Sequence, residues 1–231
     1  MKLEVKAVHS GYGKVTILHG IDFHAGSGEI TCVLGANGAG KSTLMKTIAG
    51  HLPVNRGEIT IDGKPITGAT ALQVTRAGIA YVPQEANTFA ELTVRDNLLA
   101  SALNFTGTAS RIDETYSRFP ILKERAHQQA STLSGGERQT LAIANALIGA
   151  PKFLILDEPT AGLAPIFVDR IVDWICELSR EGMSVVWVVE QNPEKILNIS
   201  RTTWLIDAGR NRETLPSADL LQPGRLQEML L

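Results

Sequence analysis

Short apolar runs alternate along the chain with segments of helical pattern. Strands are predicted where these runs are rich in β-branched residues, at 3–8, 17–25, 29–35, 57–63, 78–83, 153–159, 184–190 and 202–207, the last being the final strand. Helices are predicted at 41–50, 110–128, 165–181 and 217–230, with further helical stretches after Thr93 and Pro193. Strands that alternate with helices in this way are typical of a mostly parallel sheet covered on both faces.

The middle of the chain, from about residue 86 to 150, has a helical pattern and lacks the strand pattern. Thr93 and Asp96 form a candidate capping pair at the start of one of its helices. We therefore expect an α/β fold with a mostly parallel central sheet, antiparallel strands near the N-terminus and an inserted helical subdomain. In this division the core comprises 1–85 and 151–231, and the subdomain comprises 86–150.

Composition and charge narrow the class of protein. Of the 231 residues, 44% are apolar and 20% are charged, which suffices for a sizeable core. The formal net charge of −2 disfavours a general nucleic-acid binder, so we expect no nucleic-acid partner. The apolar runs are shorter than the roughly 18 residues of a membrane span, and the N-terminal segment lacks the apolar block of a signal peptide. Cys32 and Cys176 are interpreted as reduced core residues of a cytosolic protein.

A glycine-rich segment at 35–43 reads GANGAGKST and has the spacing G-x-x-x-x-G-K-[ST] of a P-loop. It follows a predicted strand and opens a predicted helix. The backbone N–H groups of such a loop converge on phosphate oxygens, and the helix N-terminus adds positive charge. Lys41 is expected to reach the β- and γ-phosphates of a nucleotide, and Ser42 is expected to ligate Mg²⁺. The other loop residues assigned to nucleotide binding are Gly35, Asn37, Gly38, Gly40 and Thr43.

Two acidic residues end the buried strand FLILDEP at 153–159. Asp157 comes at the carboxyl end of this strand, where α/β folds bind their ligands, and is expected to hold Mg²⁺ through its water shell. Glu158 follows directly and is expected to face the γ-phosphate. A carboxylate at that place can orient the attacking water and accept its proton, which typically contributes about 10²–10⁴-fold in rate.

A second candidate anion site is the segment LSGGERQ at 133–139. Ser134 is predicted as a helix N-cap, and Glu137 as the N3 partner of a capping box. Gly135 and Gly136 allow another group to approach the backbone closely. Because the P-loop already supplies one phosphate site, each nucleotide could be clamped between the P-loop of one chain and the Ser134 loop of a second. The alternative for this motif alone is a capped helix start without a ligand.

In the order of these motifs the chain resembles the ATP-binding-cassette (ABC) ATPases over nearly its whole length. The resemblance implies that Tyr12 stacks on adenine. It implies that Gln84 contacts Mg²⁺ and the attacking water and relays their state to a membrane partner. Residues 134–137 would then contact the γ-phosphate of a nucleotide held by the opposite subunit.

Two positions depart from the family pattern. Gln191 stands where most members have a histidine that contacts the γ-phosphate, and its amide can donate an N–H but cannot carry positive charge. Ala164 stands where many members have an aspartate that communicates across the dimer. We expect the chain to bind ATP well and to form a weaker catalytic site than a histidine-bearing partner. The alternative is that glutamine replaces histidine at no cost.

The segments LHGIDFHAGSGEI, GLAP and VVEQN are similar to one branch of the family, the smaller ATPase of importers for branched-chain amino acids, amides or urea. The resemblance implies an ATPase dependent on ATP and Mg²⁺ that pairs with itself or a second cassette. It also implies integral membrane permease subunits, an indirectly associated extracytoplasmic solute-binding protein, and a peripheral place on the cytoplasmic face of the inner membrane. The alternatives are a non-transport cassette ATPase, a small-molecule kinase and a non-hydrolysing nucleotide-binding regulator.

Overall fold

Two β-sheets form the framework of the described part of the protein. The structure is a computed structural model, and it describes residues 1–85, 87–190 and 192–230. The strands are β1 (Leu3–Tyr12), β2 (Val15–Ala25), β3 (Ile30–Leu34), β4 (Val54–Ile61), β5 (Lys64–Pro65), β6 (Ile79–Val82), β7 (Phe153–Asp157), β8 (Ser184–Val188), β9 (Thr202–Asp207) and β10 (Arg210–Pro216). The helices are α1 (Lys41–Ile48), α2 (Ala71–Arg76), α3 (Val94–Ala102), α4 (Thr108–Arg118), α5 (Pro120–Glu124), α6 (Gly135–Leu147), α7 (Pro165–Arg180), α8 (Glu194–Ile199), α9 (Ser217–Leu220) and α10 (Arg225–Leu230).

The larger sheet has the strand order β10-β9-β3-β8-β7-β6. Its strands β9, β3, β8, β7 and β6 run parallel, and β10 pairs antiparallel to β9. Strands β3, β7 and β8 are buried at every position, as expected for parallel strands covered on both faces. The smaller sheet, β2-β1-β4-β5, is antiparallel. The predicted α/β fold with a mostly parallel sheet and antiparallel N-terminal strands is confirmed.

An apolar core covers each face of the larger sheet, because successive side chains of a strand point to opposite faces. Leu154 and Leu156 of β7 belong to the core formed with the helices α3, α6 and α7. Phe153 and Ile155 of the same strand belong to the core formed with α1 and the smaller sheet. The larger sheet therefore holds the strand ends that carry the candidate site between two packed layers.

The helices α3 to α6 lie between β6 and β7, which are neighbouring parallel strands paired from Ile79↔Phe153 onwards. The chain thus leaves the sheet at one strand and returns at the next. The division into a core and a helical subdomain remains a prediction. Within the described ranges, no helix combines the length and the apolar character that crossing a membrane requires.

Several predicted boundaries were wrong. The strand at 202–207 is not the last, because β10 follows it after a tight turn, and two short helices, α9 and α10, replace the predicted single helix at 217–230. Strand β10 was missed because its sequence, RNRETLP, is mostly exposed and polar. The helix predicted at 110–128 is split before Pro120, since a residue that precedes proline disfavours helical dihedrals and Phe119 has φ −124° and ψ 74°.

Candidate nucleotide-binding site

Polar segments follow four neighbouring strands at one edge of the larger sheet. They are the loop 35–40 after β3, residues 83–85 after β6, Asp157 and Glu158 at the end of β7, and residues 189–190 after β8. Because these strands run parallel, their carboxyl ends meet at the same edge. The predicted P-loop and the predicted acidic residues are therefore brought together.

Two glycines of the P-loop lie where a side chain would clash or would strain the backbone. A Cβ at Gly35 would lie 2.1 Å from the carbonyl oxygen of Ile206. Gly40 caps α1 in the left-handed region, with φ 102°, which glycine adopts at little cost. The loop thus passes close to β9 and then turns sharply into α1. Its backbone is left free to face an anion at the N-terminus of α1.

Lys41 lies inside the loop and is only 5% exposed. Its Nζ donates hydrogen bonds to the carbonyl oxygens of Gly35 at 2.8 Å and Ala36 at 3.0 Å. An ammonium group has three N–H donors and no acceptor. The N–H donors of Lys41 that now bond to the loop carbonyls could bond to phosphate oxygens instead. The positive charge is therefore placed within the loop that would receive phosphates.

The buried carboxylate of Asp157 accepts two hydroxyl hydrogen bonds. Ser42 Oγ donates to Oδ1 at 3.0 Å, and Tyr81 Oη donates to Oδ2 at 3.0 Å. Burial raises the pKa of Asp157, while these two hydrogen bonds and the nearby lysines act in the opposite direction. A hydroxyl and a carboxylate in contact are the oxygen donors that Mg²⁺ prefers, so Ser42 and Asp157 fit that ion.

Tyr81 was not among the predicted site residues. Burial, followed by the charge of Asp157, raises the pKa of Tyr81 far above its ordinary value, so its hydroxyl remains a donor. The signal in the sequence is a tyrosine within the buried strand IAYV, where a phenolic hydroxyl needs a partner. The partner follows only from the register of β6 against β7, which places Tyr81 opposite Ile155.

Glu158 lies at the turn after β7 and has φ 50°, an uncommon conformation for a residue other than glycine. Its Oε2 accepts a hydrogen bond from Nε2 of Gln84 at 3.1 Å. Burial raises the pKa of Glu158, and the neighbouring Glu190 and Asp157 raise it further, whereas Lys41 lowers it. The raised pKa makes this carboxylate a better proton acceptor at neutral pH.

Asn37 of the loop contacts Glu190, a residue that was not predicted to belong to the site. Asn37 Nδ2 donates to Glu190 Oε1 at 2.6 Å and so connects the loop to the end of β8. Gln191, the next residue and a predicted catalytic one, lies outside the described residues. Tyr12 ends β1 with a side chain that is 46% exposed, and its exposed ring is available for stacking.

The second motif forms the predicted capping box at the start of α6. Ser134 Oγ accepts from the backbone N–H of Glu137 at 3.3 Å, and Glu137 Oε2 accepts from the backbone N–H of Ser134 at 2.9 Å. The backbone hydrogen bond from Ser134 lowers the pKa of Glu137. Arg125 Nε also donates to Glu137, at 3.2 Å. Among the hydrogen bonds of the described residues, none joins Ser134 to the loop 35–40 of the same chain.

Comparison with known proteins gives consistent matches. Residues 18–161 match the ABC transporter family. The chain is 40% identical, over 211 residues and 90% of either chain, to the high-affinity branched-chain amino acid transport ATP-binding protein BraG of Pseudomonas aeruginosa. It is 38% identical, over 99% of this chain and 98% of the relative, to the probable branched-chain amino acid transport ATP-binding protein LivF of Archaeoglobus fulgidus. A solved ATP-binding subunit of an ABC transporter is 25% identical, with a TM-score of 0.85 over 99% of this chain and 98% of that one.

Proposed function

The chain belongs to the ABC transporter family, whose ATPases bind ATP and hydrolyse it to power transport, and on this premise we propose that it energises an importer of branched-chain amino acids. The observation that carries the proposal is the match to two such ATP-binding proteins over at least 90% of each chain. Amides and urea, which the sequence resemblance also implies, are the alternative solutes. A non-transport cassette ATPase is disfavoured by the same matches.

The P-loop is proposed to hold the triphosphate. Lys41 would exchange its hydrogen bonds to Gly35 and Ala36 for bonds to phosphate oxygens, which are stronger because both partners are charged. Ser42 and Asp157, with Gln84, would hold Mg²⁺, and the bound ion supplies positive charge to the phosphates. The remaining contacts are proposed for Tyr12, Asn37, Gly38, Gly40 and Thr43.

Glu158 is proposed as the base that orients the attacking water and accepts its proton. Its raised pKa suits that role, and the hydrogen bond from Gln84 fixes the direction of its carboxylate. Gln84 is proposed to report the state of the site to a membrane partner. Gln191 is proposed to donate an N–H to the γ-phosphate in place of the usual histidine.

The working assembly is proposed to be a dimer of cassettes bound to permease subunits on the cytoplasmic face of the membrane. Residues 134–137 of one cassette would contact the nucleotide held by the other, since the start of α6 carries the partial positive charge of a helix N-terminus. Closure of the dimer on ATP, and its opening after hydrolysis, would move the permease between its two states. A solute-binding protein would deliver the amino acid from the outer side.

Lys41→Ala provides the test of this function. In purified protein, ATP affinity is expected to fall by roughly 10–100-fold, since a charge-assisted hydrogen bond contributes about 1.5–3 kcal/mol. Isothermal titration calorimetry measures this fall. In cells that lack the native gene, uptake of labelled leucine is expected to be restored by the parent chain and not by the variant.

Lys64→Ala is the matched control, because Lys64 is exposed on β5, away from the loop, and the change removes the same charge. It is expected to leave both ATP affinity and leucine uptake as in the parent. If cells that lack the native gene lose urea uptake and keep leucine uptake, the transported solute would be reassigned to urea. Leucine uptake that survives Lys41→Ala would contradict an ATP-driven role.

A further inference from the structure

Gly136 is packed against an aromatic ring that belongs to another helix. The residue is buried in the first turn of α6, where Thr140 Oγ1 donates to its carbonyl oxygen at 2.8 Å. A Cβ on Gly136 would lie 2.2 Å from Cδ1 and 2.4 Å from Cγ of Phe167. The preceding Gly135 differs, since it is exposed and its Cβ would meet only Leu163 Cδ2, at 3.5 Å.

Phe167 lies in the first turn of α7, which begins at Pro165 shortly after Glu158. Its half-buried ring has Gly136 on one side and the guanidinium of Arg170 at 5.8 Å from its centroid. The ring also borders a cavity of about 350 Å³, whose lining includes Ile171 and Trp174. The ring therefore has a tight neighbour in one direction and free volume in another.

A side chain at position 136 could not be accommodated by a small movement of the ring. Cγ is the first ring atom, so it moves away only if the χ1 rotamer of Phe167 changes. Such a change would remove the contact with α6, and the cavity beside the ring offers volume for it. The spacing between the start of α6 and the start of α7 thus depends on Gly136 and Phe167 together.

We propose that Phe167 is a positioning residue that holds the start of α6 at a fixed distance from the segment following Glu158. The proposal rests on the function above, in which residues 134–137 contact the nucleotide of a second cassette. The ring couples two parts of the chain, so that they move as one unit. One is the segment that follows Glu158, and the other is residues 134–137, which face the second cassette. In this proposal Phe167 acts through Gly136 and not through a contact of its own with the nucleotide.

The test uses the full chain with Glu158→Gln, in which hydrolysis is blocked and ATP should hold two cassettes together. Adding Phe167→Ala is expected to leave the affinity of the monomer for ATP within about twofold, because the P-loop is untouched, and to weaken ATP-driven self-association by about tenfold. Calorimetry measures the first quantity, and sedimentation velocity with Mg²⁺-ATP measures the second. A general loss of folding would lower both together.

Rescue of Gly136→Ala distinguishes packing from any other need for glycine. Alone, this change is expected to lower the melting temperature and to weaken association. Combined with Phe167→Ala, association is expected to return to the level of Phe167→Ala alone, because no ring atom then opposes the new methyl group. Phe167→Leu keeps Cγ, so it is expected to fold like the parent and to give no rescue. Gly135→Ala, whose methyl group has room, should lower the melting temperature much less.

The outcomes separate this inference from the proposed function. If the Glu158→Gln chain with Phe167 intact does not associate in Mg²⁺-ATP, the proposed pairing of this chain with itself fails. If it does associate, the role of Phe167 is overturned by equal association of the Phe167→Ala chain, by a parallel fall in monomer ATP affinity, or by purely additive effects of the Gly136 and Phe167 changes.

Discussion

Glu158 occupies a position in which its negative charge is unfavourable. The residue is partly withdrawn from water, and the carboxylates of Glu190 and Asp157 lie nearby. Its left-handed backbone conformation adds local strain, which structures tolerate mostly at functional positions. Burial and then these neighbours raise the pKa of Glu158, so stability is given up at the residue that the proposed reaction uses as its base.

The raised pKa of Glu158 predicts a pH-dependent stability difference in the nucleotide-free protein. A folded-state pKa above the unfolded value contributes stability that is present at low pH and lost as the pH rises through the folded-state pKa. Glu158→Gln removes the ionisable group, so the variant does not lose this stability as the pH rises. We expect its melting temperature to exceed that of the parent by about 1–3 °C near neutral pH and the difference to vanish near pH 4.

Differential scanning calorimetry across this pH range measures the difference. Glu91→Gln is the control, because Glu91 is exposed and the change is the same. A gain that persists unchanged at acidic pH would show that ionisation of Glu158 is not its cause.

At the scale of elements, the turn between β9 and β10 connects the two sheets to the P-loop. The carbonyl oxygen of Gly209 accepts from the backbone N–H of His19 in β2 at 2.9 Å. Its own N–H donates to the carbonyl oxygen of Ala39 at 2.8 Å. Gly209 has φ 70°, and a Cβ there would lie 1.7 Å from the carbonyl oxygen of Ile17. The close approach of β2 thus requires glycine.

Gly209→Ala is therefore expected to lower the free energy of unfolding by about 3 kcal/mol or more, because backbone must move on top of the strain of the positive φ. Gly63→Ala is the matched control, since Gly63 has φ 76° and no atom within 4 Å of the added Cβ. It is expected to cost about 1–2 kcal/mol, the strain alone. Urea unfolding of the two variants measures both values, and equal costs would contradict the packing argument.

Complete burial made some of the strands predictable from the sequence. Strands such as β7 and β8 are continuous apolar runs because both of their faces are covered. Strand β10 has no such signal, since an edge strand exposed to water needs only a partner for its backbone. Its existence follows from the hairpin with β9, which composition does not reveal.

The candidate site was predictable in its motifs and not in its contacts. The spacing of the P-loop and the acidic end of β7 indicated which strand ends form the candidate site. The hydrogen bonds of Tyr81 to Asp157 and of Asn37 to Glu190 join residues far apart in the chain. These hydrogen bonds depend on the order of the strands and on the register of their pairing. A local sequence pattern predicts neither the order nor the register.

At the scale of the whole molecule, the charge of the chain does not favour an anionic ligand. The formal net charge is −2, and Asp157, Glu158 and Glu190 are gathered at the same sheet edge as Lys41. ATP would add further negative charge to these carboxylates. Affinity for ATP would therefore have to come from the loop, from α1 and from the Mg²⁺ ion that is proposed to bind with the nucleotide.

Removal of Mg²⁺ by EDTA is accordingly expected to weaken ATP binding by about tenfold or more. Asp157→Asn should reduce this dependence, because it removes both a cation ligand and a charge that repels the phosphates. Asp113→Asn, an exposed change on α4, should leave it as in the parent. Titration with a fluorescent ATP analogue, with and without Mg²⁺, measures the effect. If the parent chain binds the ATP analogue equally well with and without Mg²⁺, Asp157 has no role in holding a cation.

The lysine tucked among the carbonyl groups of its own loop has a further consequence. Lys41 already donates hydrogen bonds to the carbonyl oxygens of Gly35 and Ala36, so the P-loop is ordered before a nucleotide binds. A phosphate then only has to replace these existing hydrogen bonds. Little of the free energy of nucleotide capture is then consumed in ordering the backbone. In the proposed dimer, most of it would remain available to draw two cassettes together, and that movement would drive the permease.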